Sequence, residues 1–144
     1  MIKIFTDGAC LGNPGPGGWA WVIDDGRLDF GSEPLTTNQR MELTAVIMSL
    51  EHVDGDVVIV SDSTYVVNCF RDKWWRKWIV NGWRNSKGDP VANSDLWRRL
   101  VPLVTESERS VEFEWVKGHA GNELNERADT LAQNAARAIV NNGA

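Results

Sequence analysis

The sequence predicts an α/β domain with parallel strands in the middle of its sheet and a hairpin at one edge. Strand and helix patterns follow one another in the order β-β-β-α-β-α-α-β-α, and helices that alternate with strands favour a parallel sheet. The strand at residues 56–60 contains an unbroken apolar run, which is typical of a strand buried on both faces. The Asp25-Gly26 pair between two strand patterns indicates the hairpin.

Three strands are predicted before the first helix. They lie at residues 2–6, 19–24 and 27–31. Turn-forming residues at 12–18 indicate a loop after the first strand. The sequence Thr-Thr-Asn-Gln at residues 36–39 resembles a capping box, which predicts a helix from there to about His52. Apolar residues surround this helix almost completely, so we expect it to be well buried.

The second half of the chain is predicted to be mostly helical. A helix is predicted from residue 63 to about 77, followed by a loop at 81–90. The next helix is capped by Asn93 or Ser94 and runs to about 104. A strand at 111–115 and a helix from about 122 to 139 complete the chain. Clean alternation predicts that the last strand has one solvent-facing side. The first and fourth strands are joined through a helix, so we expect them to be parallel neighbours.

The composition indicates a single domain over residues 1–144. The chain has 144 residues, 42% of them hydrophobic and 24% charged, which is enough apolar material for one core. No stretch approaches the roughly 18 apolar residues of a membrane span, and the N-terminus has no signal-peptide pattern. Cys10 and Cys69 lack metal-ligand spacing and are expected to be structural thiols in a reducing compartment. We therefore expect a cytoplasmic protein.

Four acidic residues occupy positions that are unusual in an ordinary domain. Asp7 ends the first apolar strand, and Asp62 directly follows the central one. Glu42 lies inside the apolar first helix, and Asp129 lies in the last helix. Sites in open α/β sheets gather beyond the carboxyl ends of strands, and buried carboxylates are costly unless paired or bound to metal. Their convergence would make a divalent-cation site.

Each acid also has an ordinary explanation. Asp7 could belong to an Asp-Gly turn, and Asp62 could cap the helix that follows it. Glu42 could pair with Arg40 or lie at the rim of the sheet, and Asp129 could be solvated. Each residue alone is therefore weak evidence for a metal site, and the four together are stronger evidence.

Carboxylate oxygens favour Mg²⁺ or Mn²⁺. Two such ions about 4 Å apart can stabilise the attacking and leaving oxygens of a phosphoryl displacement. Zinc is not favoured, because His52 and His119 are the only histidines. His119 lies between Gly118 and Gly121, in a loop that suits a mobile proton carrier, although an isolated histidine is often structural.

A basic, tryptophan-rich stretch at residues 71–87, here called the basic segment, indicates nucleic-acid binding despite a net charge of −5. Half of the 8 tryptophans lie in it. We expect some tryptophans to anchor the segment while its cations project and bind phosphates independently of sequence. The predicted substrate-binding residues there are Lys73, Trp74, Arg76, Lys77, Trp78 and Arg84.

Further substrate contacts are predicted near the acids. Asn13, Asn38 and Gln39 are amides, which suit minor-groove edges and 2′-hydroxyls. Thr37, at a helix N-terminus, could hold a phosphate. Trp97 is a candidate for packing on a sugar or base. The glycine-rich loop lacks Lys-Ser or Lys-Thr, so it is not a P-loop.

In these motifs the chain resembles type 1 ribonuclease H, specifically the short bacterial ribonuclease HI, over essentially its whole length. The motifs are Phe5-Thr6-Asp7-Gly8-Ala9, Gly12-Asn13-Pro14-Gly15, Thr37-Asn38-Gln39-Arg40-Met41-Glu42-Leu43, Ser61-Asp62-Ser63, Asp95-Leu96-Trp97 and the run of residues 116–129, which reads VKGHAGNELNERAD. Their order and spacing together are highly specific.

The resemblance implies a ribonuclease H-like fold, a five-stranded mixed sheet flanked by helices. It implies hydrolysis of the RNA strand of RNA–DNA hybrids, with 3′-hydroxyl and 5′-phosphate ends, by two Mg²⁺ ions that Mn²⁺ may replace. The family's metal ligands match Asp7, Glu42, Asp62 and Asp129. His119 matches a histidine thought to help proton transfer or product release.

The resemblance also implies the substrate contacts. Asn13, Asn38 and Gln39 match minor-groove contacts, although Gln39 stands where bacterial members commonly have Asn. Thr37 and Asn93 match a pocket for a DNA-strand phosphate. Trp97 matches a residue against the DNA strand, and the basic segment matches the family's basic protrusion. The expected enzyme is a monomer that binds the hybrid and no membrane. The alternatives are a hybrid-binding module that does not cleave and a DNA-strand nuclease of the same fold class.

Overall fold

A computed structural model of the chain describes residues 1–118 and 120–142. Within this part the elements are β1 Ile2–Cys10, β2 Gly15–Ile23, β3 Leu28–Thr36, α1 Asn38–His52, β4 Val57–Ser61, α2 Thr64–Arg71, α3 Trp74–Val80, α4 Ser94–Thr105, β5 Val111–Trp115 and α5 Glu123–Asn142. None of these helices combines the length and the apolar character that crossing a membrane requires.

The five strands form one mixed sheet in the order β3-β2-β1-β4-β5. The β1–β2 and β2–β3 pairs are antiparallel, whereas β1–β4 and β4–β5 are parallel. The α/β prediction, the edge hairpin and the parallel pairing of the first and fourth strands are thus confirmed. Gly26, with φ of 99°, lies in the hairpin connection, where the backbone turns more easily without a side chain.

Helices cover both faces of the sheet. Successive β1 side chains point to opposite faces, so Ile4 belongs to the larger core with α1 and α4, while Phe5 belongs to a smaller core with Ala128 of α5. The predicted burial of α1 is confirmed, because most of its apolar residues are buried. The site at the end of the sheet is consequently enclosed by α1 on one side and α5 on the other.

Asp7 does not end its strand as predicted. β1 continues to Cys10, because it keeps pairing with β2 up to Cys10 opposite Gly17. Its parallel pairing with β4 stops earlier, at Phe5 opposite Val60. Asp7 therefore lies inside β1 but beyond the end of the parallel pair, and it is not part of a turn.

The predicted helix from residue 63 to 77 is two helices. α2 ends at Arg71, and Lys73 has a left-handed backbone with φ of 56° before α3 begins. The break changes the chain direction so that Trp74 and Trp78 pack against the larger core. Tertiary packing has overridden a continuous helical pattern here.

Candidate metal centre and nucleic-acid surface

Three acidic side chains converge beyond the end of the β1–β4 pair. Asp7 is on β1, Asp62 directly follows β4, and Glu42 is near the start of α1. One carboxylate oxygen from each of the three lies within 4.8 Å of the other two. The structure therefore brings together three residues that the sequence places far apart.

Two glycines allow close backbone approach at this cluster. A Cβ atom at Gly8 would lie 2.4 Å from the backbone nitrogen of Glu42, so a side chain there would push α1 away from β1. A Cβ atom at Gly118 would lie 2.8 Å from Oδ2 of Asp62. The loop after β5 thus reaches the Asp62 carboxylate through a residue that has no side chain.

The cluster changes the acidity of its members. Burial, together with the charge of Asp62, raises the pKa of Asp7 from 3.8 to about 8. Burial, followed by repulsion from Asp7 and Asp62, raises the pKa of Glu42 well above its usual value. Both shifts arise because burial and neighbouring negative charge disfavour ionisation. A cation at this position would reverse that balance.

The donor set fits a divalent cation. Glu42 Oε2 is buried and has no hydrogen-bond partner among the residues that the structure describes. A buried polar atom without a partner is destabilising, and a bound cation would provide the missing interaction. The three side chains offer only carboxylate oxygens, which Mg²⁺ and Mn²⁺ prefer.

Two ordinary explanations for these acids do not hold. The N-cap of α2 is Ser63, whose hydroxyl accepts a backbone hydrogen bond, so Asp62 is not the cap. Arg40, the proposed partner of Glu42, instead donates to both oxygens of Asp95 at 2.9 and 2.7 Å. Helix capping and an ion pair with Arg40 therefore do not account for the positions of Asp62 and Glu42.

Asp129 lies beside Asp7 but is not one of the three acids whose oxygens all lie within 4.8 Å of one another. It is partly buried on α5, and its negative charge contributes to the raised pKa of Asp7. Gln133, one turn later, donates from Nε2 to both Asp129 oxygens at 3.1 and 3.0 Å. This contact joins residues one helical turn apart, and it was not predicted. His119, the predicted proton carrier, lies outside the described residues.

Polar groups gather at the N-terminus of α1, next to the cluster. Thr37 is the N-cap, and its hydroxyl accepts from the Arg40 N–H at 3.2 Å. Asn13 Oδ1 accepts from the Asn38 N–H at 3.0 Å, which joins the glycine-rich loop to the helix. The side chains of Asn13, Asn38 and Gln39 are exposed. The predicted amide contacts thus form one accessible group.

Asn93 lies beside this group. Its Nδ2 donates to Gln39 Oε1 at 3.4 Å and to the Tyr65 hydroxyl at 3.2 Å. Arg40 Nη1 donates to Asn93 Oδ1 at 3.5 Å. Tyr65 was not predicted as a site residue, because nothing in its sequence neighbourhood distinguishes it from a core aromatic.

The predicted position of Trp97 against a sugar or base is wrong for this structure. Trp97 is 0% exposed, so its ring has no face open to a ligand. It is on the buried side of α4, and its Nε1 donates to the Tyr65 hydroxyl at 2.8 Å. The hydrophobic spacing of α4 directs Trp97 inward, where its indole N–H finds a partner.

The tryptophans of the basic segment pack on the core and its cations are exposed, as predicted. Trp74, Trp75, Trp78 and Trp83 are partly buried and pack against the larger core. The exposed cations of the segment are Arg71, Lys73, Arg76, Lys77, Arg84 and Lys87. Aromatic anchoring therefore presents a group of positive charges on an otherwise acidic chain.

A carboxylate cluster at the end of a mixed sheet, in a chain that also carries an exposed basic segment, is typical of metal-dependent enzymes that act on nucleic acids. Similarity to known proteins shows which family of this class the chain resembles. The RNase H family model matches residues 1–137. A ribonuclease H of Syntrophomonas wolfei is 48% identical over 144 residues, covering 96% of this chain and 97% of that protein.

Two further relatives agree. A ribonuclease H of Anaplasma marginale is 52% identical over 139 residues, covering 92% of this chain and 88% of that protein. The crystal structure of LC9-RNase H1, described as a type 1 RNase H with the type 2 active-site motif, superposes with a TM-score of 0.81 at 34% identity and covers 95% of this chain and 72% of that one. This chain belongs to the ribonuclease H family, and it is a ribonuclease.

Proposed function

We propose that this chain cleaves the RNA strand of RNA–DNA hybrids by metal-dependent hydrolysis and leaves 3′-hydroxyl and 5′-phosphate ends. The observation that supports it best is the cluster of Asp7, Glu42 and Asp62, with ligand oxygens within 4.8 Å of one another. Membership of the ribonuclease H family supports the choice of substrate. The carboxylate cluster supports metal-dependent hydrolysis as the reaction.

The proposed metal ligands are Asp7, Glu42, Asp62 and Asp129. Two divalent ions, Mg²⁺ in the proposed enzyme and Mn²⁺ as a substitute, would neutralise the phosphate and activate a water molecule. Asp7 and Glu42 would bind in their ionised forms. Asp129 would bind through lone pairs that the contacts from Gln133 Nε2 do not use, because a carboxylate has about four acceptor sites. His119 would transfer a proton or assist product release, as its place between Gly118 and Gly121 in the sequence suggests.

The proposed substrate contacts surround the cluster. Asn13, Asn38 and Gln39 would bind minor-groove edges and 2′-hydroxyls, since all three amides are exposed there. Thr37 and Asn93 would hold a DNA-strand phosphate at the N-terminus of α1. The basic segment would bind further phosphates. We also propose a monomeric, cytoplasmic enzyme, and the free thiols of Cys10 and Cys69 suit a reducing compartment.

The test is a cleavage assay with a labelled RNA–DNA hybrid and titrated Mg²⁺. We expect RNA fragments with 3′-hydroxyl ends from the hybrid, and none from single-stranded RNA or DNA duplex. Asp7→Asn should abolish cleavage while leaving hybrid affinity within a few-fold, because the substitution keeps every cation of the basic segment. If the unaltered chain leaves the hybrid intact, it is a binding module. If it cuts DNA duplex, the assigned substrate is wrong.

A further inference from the structure

The amide group of Asn93 is held in one orientation. Arg40 Nη1 lies 3.5 Å from Asn93 Oδ1, and a guanidinium group can only donate. The oxygen must therefore face Arg40, which leaves Nδ2 facing the other two partners, Tyr65 and Gln39. Asn93 also has a left-handed backbone, with φ of 59°, directly before α4. Its side chain consequently has few alternative positions.

The two partners of Asn93 Nδ2 differ in strength and exposure. The Gln39 contact is 3.4 Å long and joins exposed groups, so a ligand oxygen could replace it. The Tyr65 contact is shorter, at 3.2 Å, and partly buried. One amide hydrogen is thus anchored by tyrosine, while the other points to the surface beside the N-terminus of α1.

Tyr65 is itself well fixed. Its hydroxyl accepts from Trp97 Nε1 at 2.8 Å, and Trp97 is fully buried. Its ring packs edge-on against Trp97, with centroids 5.3 Å apart, and makes a tilted contact with Trp74 at 6.4 Å. A hydroxyl oxygen can accept two hydrogen bonds, so the same atom orders both Trp97 and Asn93. The rigid core is in this way connected to a surface amide.

We propose that Tyr65 is a positioning residue whose hydroxyl holds the Asn93 amide ready to donate to a DNA-strand phosphate. This inference rests on the proposed phosphate pocket of Thr37 and Asn93. Tyr65 acts through Asn93, and its own hydroxyl is occupied by the two donors. Removing that oxygen should weaken the phosphate contact and leave the metal cluster unchanged.

The test compares Tyr65→Phe with Asn93→Ala and with the double variant. Hybrid affinity is measured by fluorescence anisotropy without divalent metal, so it does not depend on cleavage, and KM and kcat are measured with Mg²⁺. We expect Tyr65→Phe to raise Kd and KM about 2- to 10-fold, the effect of one lost hydrogen bond, with kcat within about 2-fold. The double variant should bind no worse than Asn93→Ala alone, because both changes remove one contact.

A second measurement separates positioning from folding. Hybrids with a single neutral methylphosphonate are scanned along the DNA strand to find the linkage whose neutralisation weakens binding by the unaltered chain. Tyr65→Phe should reduce that penalty. Trp97→Phe is the matched control: it removes the other hydrogen bond to the same hydroxyl but keeps the bond to Asn93, so it should lower Tm while most of the penalty remains.

Three results would overturn the inference. An equal loss of the penalty in Tyr65→Phe and Trp97→Phe would mean that Tyr65 acts through packing. An unchanged Kd in Tyr65→Phe would mean that its hydroxyl is not needed. An unchanged Kd in Asn93→Ala would remove the pocket on which the inference depends. None of these results bears on cleavage, which fails or succeeds separately in the Mg²⁺ assay.

Discussion

The pKa of Asp7 depends on its surroundings in the folded protein. It is 3% exposed and lies near three other carboxylates, and its pKa rises to about 8. In the unfolded chain its pKa would be near 3.8. The folded protein without metal therefore takes up a proton that the unfolded chain does not hold. Stability falls as pH rises between these values, because ionisation in the fold meets burial and repulsion.

We predict that Asp7→Asn stabilises the metal-free protein at pH 8. Asparagine cannot ionise, so its advantage should be nearly absent near pH 4 and grow to on the order of 5 kcal/mol by pH 8, because each pH unit between the two pKa values contributes about 1.4 kcal/mol. Urea unfolding in EDTA at both pH values measures this. Asp54→Asn removes the same charge from an exposed position and is the control. Adding Mg²⁺ should stabilise only the chain that retains Asp7. An advantage independent of pH would contradict the raised pKa.

At the scale of an element, α3 and the break before it determine where the positive charge lies. The left-handed Lys73 ends α2 and lets the tryptophans of α3 pack on the core. Arg76 lies over the Trp75 ring at 5.5 Å, and Arg84 Nη1 donates to the Gly88 carbonyl at 2.9 Å. The cations are thus supported by the segment itself while they remain exposed.

We predict that alanine at Arg76, Lys77 and Arg84 together weakens hybrid binding. KM should rise about tenfold, and the slope of log K against log salt should fall by about 2 to 3, because each lost phosphate contact removes about 0.9. The control replaces three exposed cations elsewhere: Lys3, Arg27 and Arg99. Both variants change the net charge equally. Equal effects of the two would mean that total charge, and not the basic segment, governs binding.

At the scale of the whole molecule, the packing of α5 on the sheet sets the place of Asp129. Gly18 of β2 lies under α5, and a Cβ atom there would be 2.1 Å from the Ala132 carbonyl oxygen. Ala128 and Ala132 are fully buried, so small residues on both surfaces allow the helix to approach closely. Asp129 follows Ala128 directly, and its distance from Asp7 depends on this approach.

We predict that Gly18→Ala destabilises the protein by about 1 to 3 kcal/mol, because the added methyl group forces α5 outward. Outward movement would also take Asp129 away from the cluster, so kcat should fall while KM changes little. Thermal unfolding and steady-state kinetics measure the two effects. Gly55→Ala, with φ of 86° and no atom within 4 Å of the new Cβ, is the control and should alter stability alone. An unchanged kcat in Gly18→Ala would disconnect the packing of α5 from the site.

The α/β class, the order of the main elements and the carboxylate cluster of Asp7, Glu42 and Asp62 could be predicted from the sequence alone. Periodicity and local turn residues are properties of neighbouring positions, so they can be recognised before folding. An acid at the end of an apolar run is also visible locally, and parallel strands then bring two such acids together.

The burial of Trp97, the break at Lys73 and the two hydrogen bonds that the Tyr65 hydroxyl accepts became visible only in the tertiary structure. These features depend on contacts between residues far apart in the chain, or on which side of a helix meets the core. Helical spacing alone shows that Trp97 and Tyr65 could be buried. It does not show that one hydroxyl would accept from both Trp97 and Asn93, because that requires α2 and α4 to be packed at a particular distance.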